Sequence, residues 1–216
     1  MTNEEGDATM DASKTLDGLS IVPVVVIEDI RHAVTLARVL SEAGFLAVEV
    51  TLRTTCAMSA LEKIARNVPE IIVGAGSVRT EEQLTEVGKI GARFAVSPGS
   101  TPRLIAEANR IKMPFVPGAA TASEMLNLYE RGYKLQKFFP AEQLGGIEMI
   151  KALSAPLPEI NYFPTGGLTA SLAREYLQLE NVACVGGSWF IPINLLENRR
   201  FDEIGELALS ALNHVS

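Results

Sequence analysis

The chain has 216 residues, a formal net charge of −7, 47% hydrophobic and 21% charged residues, two cysteines and two histidines. That length suits one α/β domain with a large core. The acidic balance, with no basic run and no Lys/Arg stripe between aromatics, argues against nucleic acid and against an anionic membrane surface as partners. No apolar run approaches the length of a membrane span. Cys56 and Cys184 sit far apart in apolar contexts and read as buried free thiols in a reducing cytosol, so a cytoplasmic location is expected. His32 and His214 belong to no metal-type spacing, and neither a metal nor an organic cofactor is expected.

Residues 1–13 are polar and acidic, without the basic start and apolar stretch of a signal peptide. They read as a flexible extension ahead of one domain spanning 14–216, with a short helix around Ala12–Leu19 at its start. Strand-like runs then alternate with helical patterns. Val22–Ile27 is the first run, followed by a helix that buries Ala33, Val34, Leu36, Ala37, Val39 and Leu40 and stops at Gly44. Ala47–Leu52 precedes a helix near Ala57–Arg66. Ile71–Gly76 leads to Thr80-Glu81-Glu82, an N-cap with first-turn acids. Phe94–Gly99 is followed by a helix from Pro102, and Pro114–Gly118 by the capping-box spacing of Thr121 and Glu124. Leu135–Phe139, Ile160–Gly167 and Val182–Ser188 complete the series, with helices near Ser171–Gln178 and Phe201–Leu212. Eight β/α units without a break in composition predict a single (β/α)8 TIM barrel. A doubly wound open sheet is the alternative, but no Gly-x-Gly-x-x-Gly follows the first strand.

The strand interiors are almost free of charge, with Glu49 and Lys137 as the exceptions. Burial among aromatics disfavours an ammonium and frees the amine as a nucleophile, so this pair suggests carbonyl chemistry through a Schiff base. Glu49 is the candidate general acid/base. A buried ion pair that only fixes the core is the structural alternative, although such pairs stabilise folds poorly. Alternation places Glu49, Thr51 and Arg53 on one side of their strand, and Lys137 with Phe139 on theirs, so both charges can face a barrel lumen. Arg53 at the mouth matches a carboxylate with its planar fork. Ser77 can add a hydroxyl to the same anion or can simply be a turn residue. Thr165-Gly166-Gly167 and Gly186-Gly187-Ser188 end the last two runs, where barrels bind phosphate on bare backbone N–H groups. Pro98-Gly99 reads as a turn, and Trp189 as packing.

Six segments keep a recognisable order and spacing: Glu49–Thr54, Val73–Val78, Ser97–Gly99, Lys137–Glu142, Pro164–Gly167 and Gly186–Trp189. On these the chain resembles the 2-keto-3-deoxy-6-phosphogluconate (KDPG) aldolases, class I carbon–carbon lyases of the Entner–Doudoroff pathway. The resemblance implies a Schiff base on Lys137, proton shuttling by Glu49, and a carboxylate held by Arg53 and Ser77, the latter where the family more often has threonine. It implies that Pro98 and Phe139 wall the pyruvyl end, that Thr165 lies near the sugar hydroxyls, and that Gly166, Gly167, Gly187 and Ser188 receive phosphate. The implied substrate is a phosphorylated keto-deoxy sugar acid, cleaved to pyruvate and glyceraldehyde 3-phosphate. A 4-hydroxy-2-oxoglutarate (KHG) cleavage activity, a homotrimer and independence of metal are implied with it. The C4-epimeric 2-keto-3-deoxy-6-phosphogalactonate as substrate, a non-covalent phosphosugar isomerase, and a non-enzymatic phosphosugar-binding barrel remain the alternatives.

Overall fold

The computed structural model describes residues 10–215. The nine strand segments among them are short and all their pairings are parallel: β1 Ile21–Val25, β2 Ala47–Thr51, β3 Ile72–Gly76, β4 Phe94–Val96, β5 Phe115–Val116, β6 Gly118–Ala119, β7 Leu135–Phe138, β8 Asn161–Pro164 and β9 Val185–Gly187. The helices are α1 Ala33–Glu42, α2 Ala57–Asn67, α3 Glu81–Lys89, α4 Pro102–Ile111, α5 Ala122–Glu130, α6 Gly146–Ser154, α7 Ala170–Leu177, α8 Ile193–Glu197 and α9 Phe201–Val215. The sheet runs in the order β5-β4-β3-β2-β1-β9, and a second group runs β6-β7-β8. This is an α/β fold built on a curled parallel sheet. Pro117 separates β5 from β6, which the sequence reads as one run. Isolated parallel bridges join Tyr162 to Val182 and Thr165 to Gly186, between the β8 and β9 sides. Among the described residues, no helix is long and apolar enough to cross a membrane.

Two cores explain the alternation. The larger lies between strands and helices, filled by Val25, Val48, Val50, Val73, Phe138 and Tyr162 from the sheet and by Leu36, Leu61, Leu84 and Ile105 from the helices. The smaller lies on the inner side of the sheet: Val22, Ala47, Phe94, Val96, Val116, Leu135, Phe163 and Cys184. Ala12 and Leu16 join this inner cluster. The expected N-terminal helix is shorter in the structure, a 3-10 turn at Ala12–Lys14 capped by the Asp11 carboxylate.

Of the expected extension 1–13, residues 1–9 lie outside the described residues. The remainder is seated on the sheet. Phe115 N–H donates to the Met10 carbonyl at 2.7 Å, and Lys134 and Leu135 N–H groups donate to Asp11 Oδ2 at 2.8 and 2.9 Å. An element the periodicity does not announce follows β7: a 3-10 turn at Glu142–Leu144 and then α6.

Candidate active site

The strand register builds the site. Glu49 pairs with Gly74 on β3, and Lys137 with Gly118 and Phe163 on β6 and β8. Each charge stands two residues beyond an inner-core residue of its own strand, Ala47 and Leu135. With period 2 both therefore point inward, just above the apolar floor. They meet there. Lys137 Nζ donates to Glu49 Oε1 at 3.2 Å, and the two side chains are 6% and 0% exposed. The ammonium lies 5.5 Å from the Phe139 ring centroid and 5.9 Å from that of Phe163. Glu49 Oε2 is buried with no hydrogen-bond partner among the described residues. An orphaned carboxylate oxygen is costly in a structural ion pair and useful in one that must accept a proton from something else.

Room for this carboxylate comes from Gly76. A Cβ there would fall inside the Glu49 side chain, and one at Gly74 would fall inside the Phe94 ring. The Gly-x-Gly at the end of β3 thus makes room for Glu49 and Phe94, a role that spacing alone does not reveal. Cys184 is buried nearby; burial first, and the Glu49 carboxylate second, push its thiol up to about 12. It stays protonated and unreactive at neutral pH.

At the mouth, Arg53 is exposed and its Nε donates to Ser77 Oγ at 3.2 Å, so the two residues expected to share a carboxylate are already neighbours. Ser77 has φ 57°, a left-handed conformation uncommon for serine, directly after Gly76. Thr51 Oγ1 donates to the Val25 carbonyl at 3.0 Å. Pro98 lies so close to the next strand that a Cβ on Gly118 would overlap the Pro98 backbone, and Gly118 N–H donates to Ser97 Oγ at 3.3 Å. Ser97-Pro98-Gly99 is therefore more than a turn: it is packed onto the strand beside Lys137.

The opposite side carries the glycine loops. Gly166 and Gly167 have φ of 103° and 80°, and a Cβ on Gly166 would stand 3.3 Å from the Phe139 ring. Thr165 Oγ1 is buried and has no hydrogen-bond partner among the described residues. It faces Gly186, where a Cβ would collide with it, and Thr165 and Gly186 form a bridge. Gly187 is filled on its open side by the Trp189 ring, which in turn meets Phe190 edge-to-face with centroids 5.1 Å apart. Ser188 is exposed at this rim. The residues expected from the sequence to meet substrate thus lie on the C-terminal parts of the strands or in the loops that follow them, as does the one buried lysine–glutamate contact found among the described residues.

A parallel α/β fold with an amine and a carboxylate in contact inside the sheet, an arginine at the rim and glycine loops nearby, has the groups that carbonyl chemistry uses. Comparison with known proteins gives the family. Residues 12–207 match the model of the KDPG and KHG aldolase family, and the chain belongs to it. It is 44% identical over 192 residues to the KHG/KDPG aldolase of Escherichia coli K12, which covers 89% of this chain and 90% of that protein. It is 43% identical over 201 residues to the 2-dehydro-3-deoxy-phosphogluconate aldolase of Dickeya dadantii, covering 93% and 94% of the two. Among solved structures, the KDPG aldolase of Legionella pneumophila, with pyruvate captured as a covalent carbinolamine, matches with a TM-score of 0.90 and 40% identity over 93% of this chain and 98% of that one.

Proposed function

We propose that this protein is a Schiff-base aldolase that cleaves 2-dehydro-3-deoxy-6-phosphogluconate to pyruvate and glyceraldehyde 3-phosphate. The observation that carries the reading is the buried 3.2 Å contact between Lys137 Nζ and Glu49 Oε1, in a chain of this family. Proton transfer from Lys137 to Glu49 across that contact frees the amine, which attacks the C2 ketone to give a carbinolamine. Glu49 returns that proton to the carbinolamine hydroxyl, which leaves as water; the product is a protonated imine, an electron sink, and Glu49 is again a carboxylate. Glu49 then removes the proton from the C4 hydroxyl. The C3–C4 bond breaks, its electrons form the enamine, and the aldehyde departs. Protonation at C3 and hydrolysis release pyruvate and regenerate the amine.

Arg53 and Ser77 hold the carboxylate so that the ketone faces Lys137, with Pro98 and Phe139 as walls; this positioning supplies much of the rate. Thr165 meets the sugar hydroxyls, and its unpartnered Oγ1 supports that role. Gly166, Gly167, Gly187 and Ser188 receive the phosphate on backbone N–H groups and a hydroxyl. Cleavage of 4-hydroxy-2-oxoglutarate is a second activity of the same site. It uses the same pyruvyl half, and both substrates appear in the family's description.

The fold reading extends with it. A complete (β/α)8 barrel is supported by the continuity of β5 and β6 across Pro117 and by the two bridges between the β8 and β9 sides. A homotrimer in the cytoplasm, serving the Entner–Doudoroff route, follows from the family resemblance.

The test is trapping with pyruvate and borohydride, read by mass spectrometry. Lys137 should gain the reduced pyruvyl adduct, and EDTA should leave turnover unchanged. An unmodified Lys137 in an active preparation would overturn the Schiff base and favour the isomerase alternative. Turnover of both phosphorylated epimers and of 4-hydroxy-2-oxoglutarate ranks the substrates; a galactonate preference would overturn the assignment to the gluconate.

A further inference from the structure

The Lys137–Glu142 segment ends in a carboxylate that the mechanism above leaves unused. Glu142 follows the wall residue Phe139 by three positions and opens the 3-10 turn before α6. It is tied to the Thr165-Gly166-Gly167 loop from several directions. Ala141 N–H donates to the Thr165 carbonyl at 2.9 Å, and Glu142 N–H to the Gly166 carbonyl at 3.3 Å. The stem of Glu142 lies directly against Gly167, where a Cβ would stand 2.9 Å from both Glu142 Cβ and Cγ. Its carboxylate reaches α7. There the hydroxyl of Tyr176, a fully buried residue, donates to Glu142 Oε1 at 2.5 Å. Both groups also border the start of α6: a Cβ on Gly146 would stand 3.1 Å from Glu142 Oε1 and 3.3 Å from Tyr176 Oη. The positive end of that helix suits a carboxylate.

We infer that the Tyr176–Glu142 hydrogen bond is a positioning device for the phosphate end of the substrate: it holds the Glu142 carboxylate against α7 and out of the field of the Gly166–Gly167 loop. The need is electrostatic. The proposed nest must attract a dianion, yet an acidic side chain is packed against one of its two glycines. Pinned to Tyr176 and to the α6 N-terminus, the carboxylate serves as a strut. Released, it would swing toward the same backbone N–H groups and repel the phosphate. Tyr176 thus acts through Glu142, and neither touches the reacting atoms. The burial that pushes the Tyr176 hydroxyl well above the usual phenol range, together with its bond to Glu142, keeps it a donor at every physiological pH.

This inference rests on the phosphosugar aldolase reading, and its test separates the two. KM and kcat are measured for the phosphorylated keto acid and for 4-hydroxy-2-oxoglutarate, alongside pyruvate–borohydride trapping. Tyr176→Phe should raise KM for the phosphorylated substrate about tenfold, the scale of one lost charge-assisted hydrogen bond. KM for the unphosphorylated substrate and pyruvate trapping should change much less. Adding Glu142→Gln to Tyr176→Phe should restore the phosphorylated KM, because the amide carries no charge to repel. If Tyr176→Phe does not fold, Glu142→Asp serves instead: it keeps the charge but falls short of Tyr176, and the same selective rise in KM is expected. An equal loss on both substrates, or no rescue by the amide, would overturn the inference and leave the aldolase reading standing. A wild-type enzyme inactive on the phosphorylated substrate would overturn both.

Discussion

Two lysine–glutamate pairs in this molecule have nearly the same geometry and opposite meanings. Lys151 Nζ lies 2.9 Å from Glu148 Oε1 on the outer side of α6, with side chains 54% and 81% exposed. Lys137 Nζ lies 3.2 Å from Glu49 Oε1 on the inner side of the sheet, with side chains 6% and 0% exposed. The first is an i,i+3 helix pair in water, screened by salt and worth little. The second has lost its hydration on both sides and leaves one carboxylate oxygen unpartnered. Distance therefore says nothing about the role of such a pair, and environment says nearly everything. A pair costly to bury, in a core that could have been apolar, fits the chemistry proposed for it better than a role in stability.

The contrast can be broken most sharply at Lys137. Lys137→Met should abolish turnover and trapping, and should destabilise the fold by about 3–5 kcal/mol because Glu49 is left buried and alone. The double variant Lys137→Met/Glu49→Leu should be equally inactive, yet as stable as the wild type or more stable by up to about 4 kcal/mol in denaturant titrations. Recovery of stability without activity would separate the two meanings. Gly76→Ala comes next. Its Cβ would overlap the Glu49 carboxylate without any demand for positive φ, and displacement by an ångström is expected to lower kcat roughly 100-fold. Arg53→Lys at the rim keeps the charge and loses the fork, so KM for the keto acid should rise about tenfold with a smaller change in kcat. Lys151→Ala should shift stability by no more than about 0.5 kcal/mol and leave kcat untouched. A large loss there would mean that the exposed pair contributes to the fold or the site after all.

Most of the catalytic side was legible in the sequence because strands carry their own geometry. Alternation in Ala47–Leu52 and Leu135–Phe139 was enough to send Glu49 and Lys137 to the same side of the sheet. The steric role of Gly76 and Gly118 was not legible, since it depends on what stands opposite. Gly76 yields to Glu49 and Gly118 to Pro98, partners 27 and 20 residues away in the chain. The Tyr176–Glu142 bond was invisible for the same reason: only the return of the chain brings the helix that carries Tyr176 to the 3-10 turn after β7. The capping box at Thr121 and Glu124 was readable and is present with both bonds, because its partners are three residues apart.

The sequence by itself determined the α/β alternation, the parity that buries two charges, and the family. These follow from local periodicity and from the spacing of short motifs. Tertiary structure decided three things. It fixed the contact between β2 and β7 that turns an isolated acid and an isolated amine into a pair. It seated Asp11 under Lys134 and Leu135. It brought the Glu142 carboxylate to the Tyr176 hydroxyl. Each depends on groups distant along the chain meeting within a few ångströms, and no local pattern encodes which strand or helix will stand across the way.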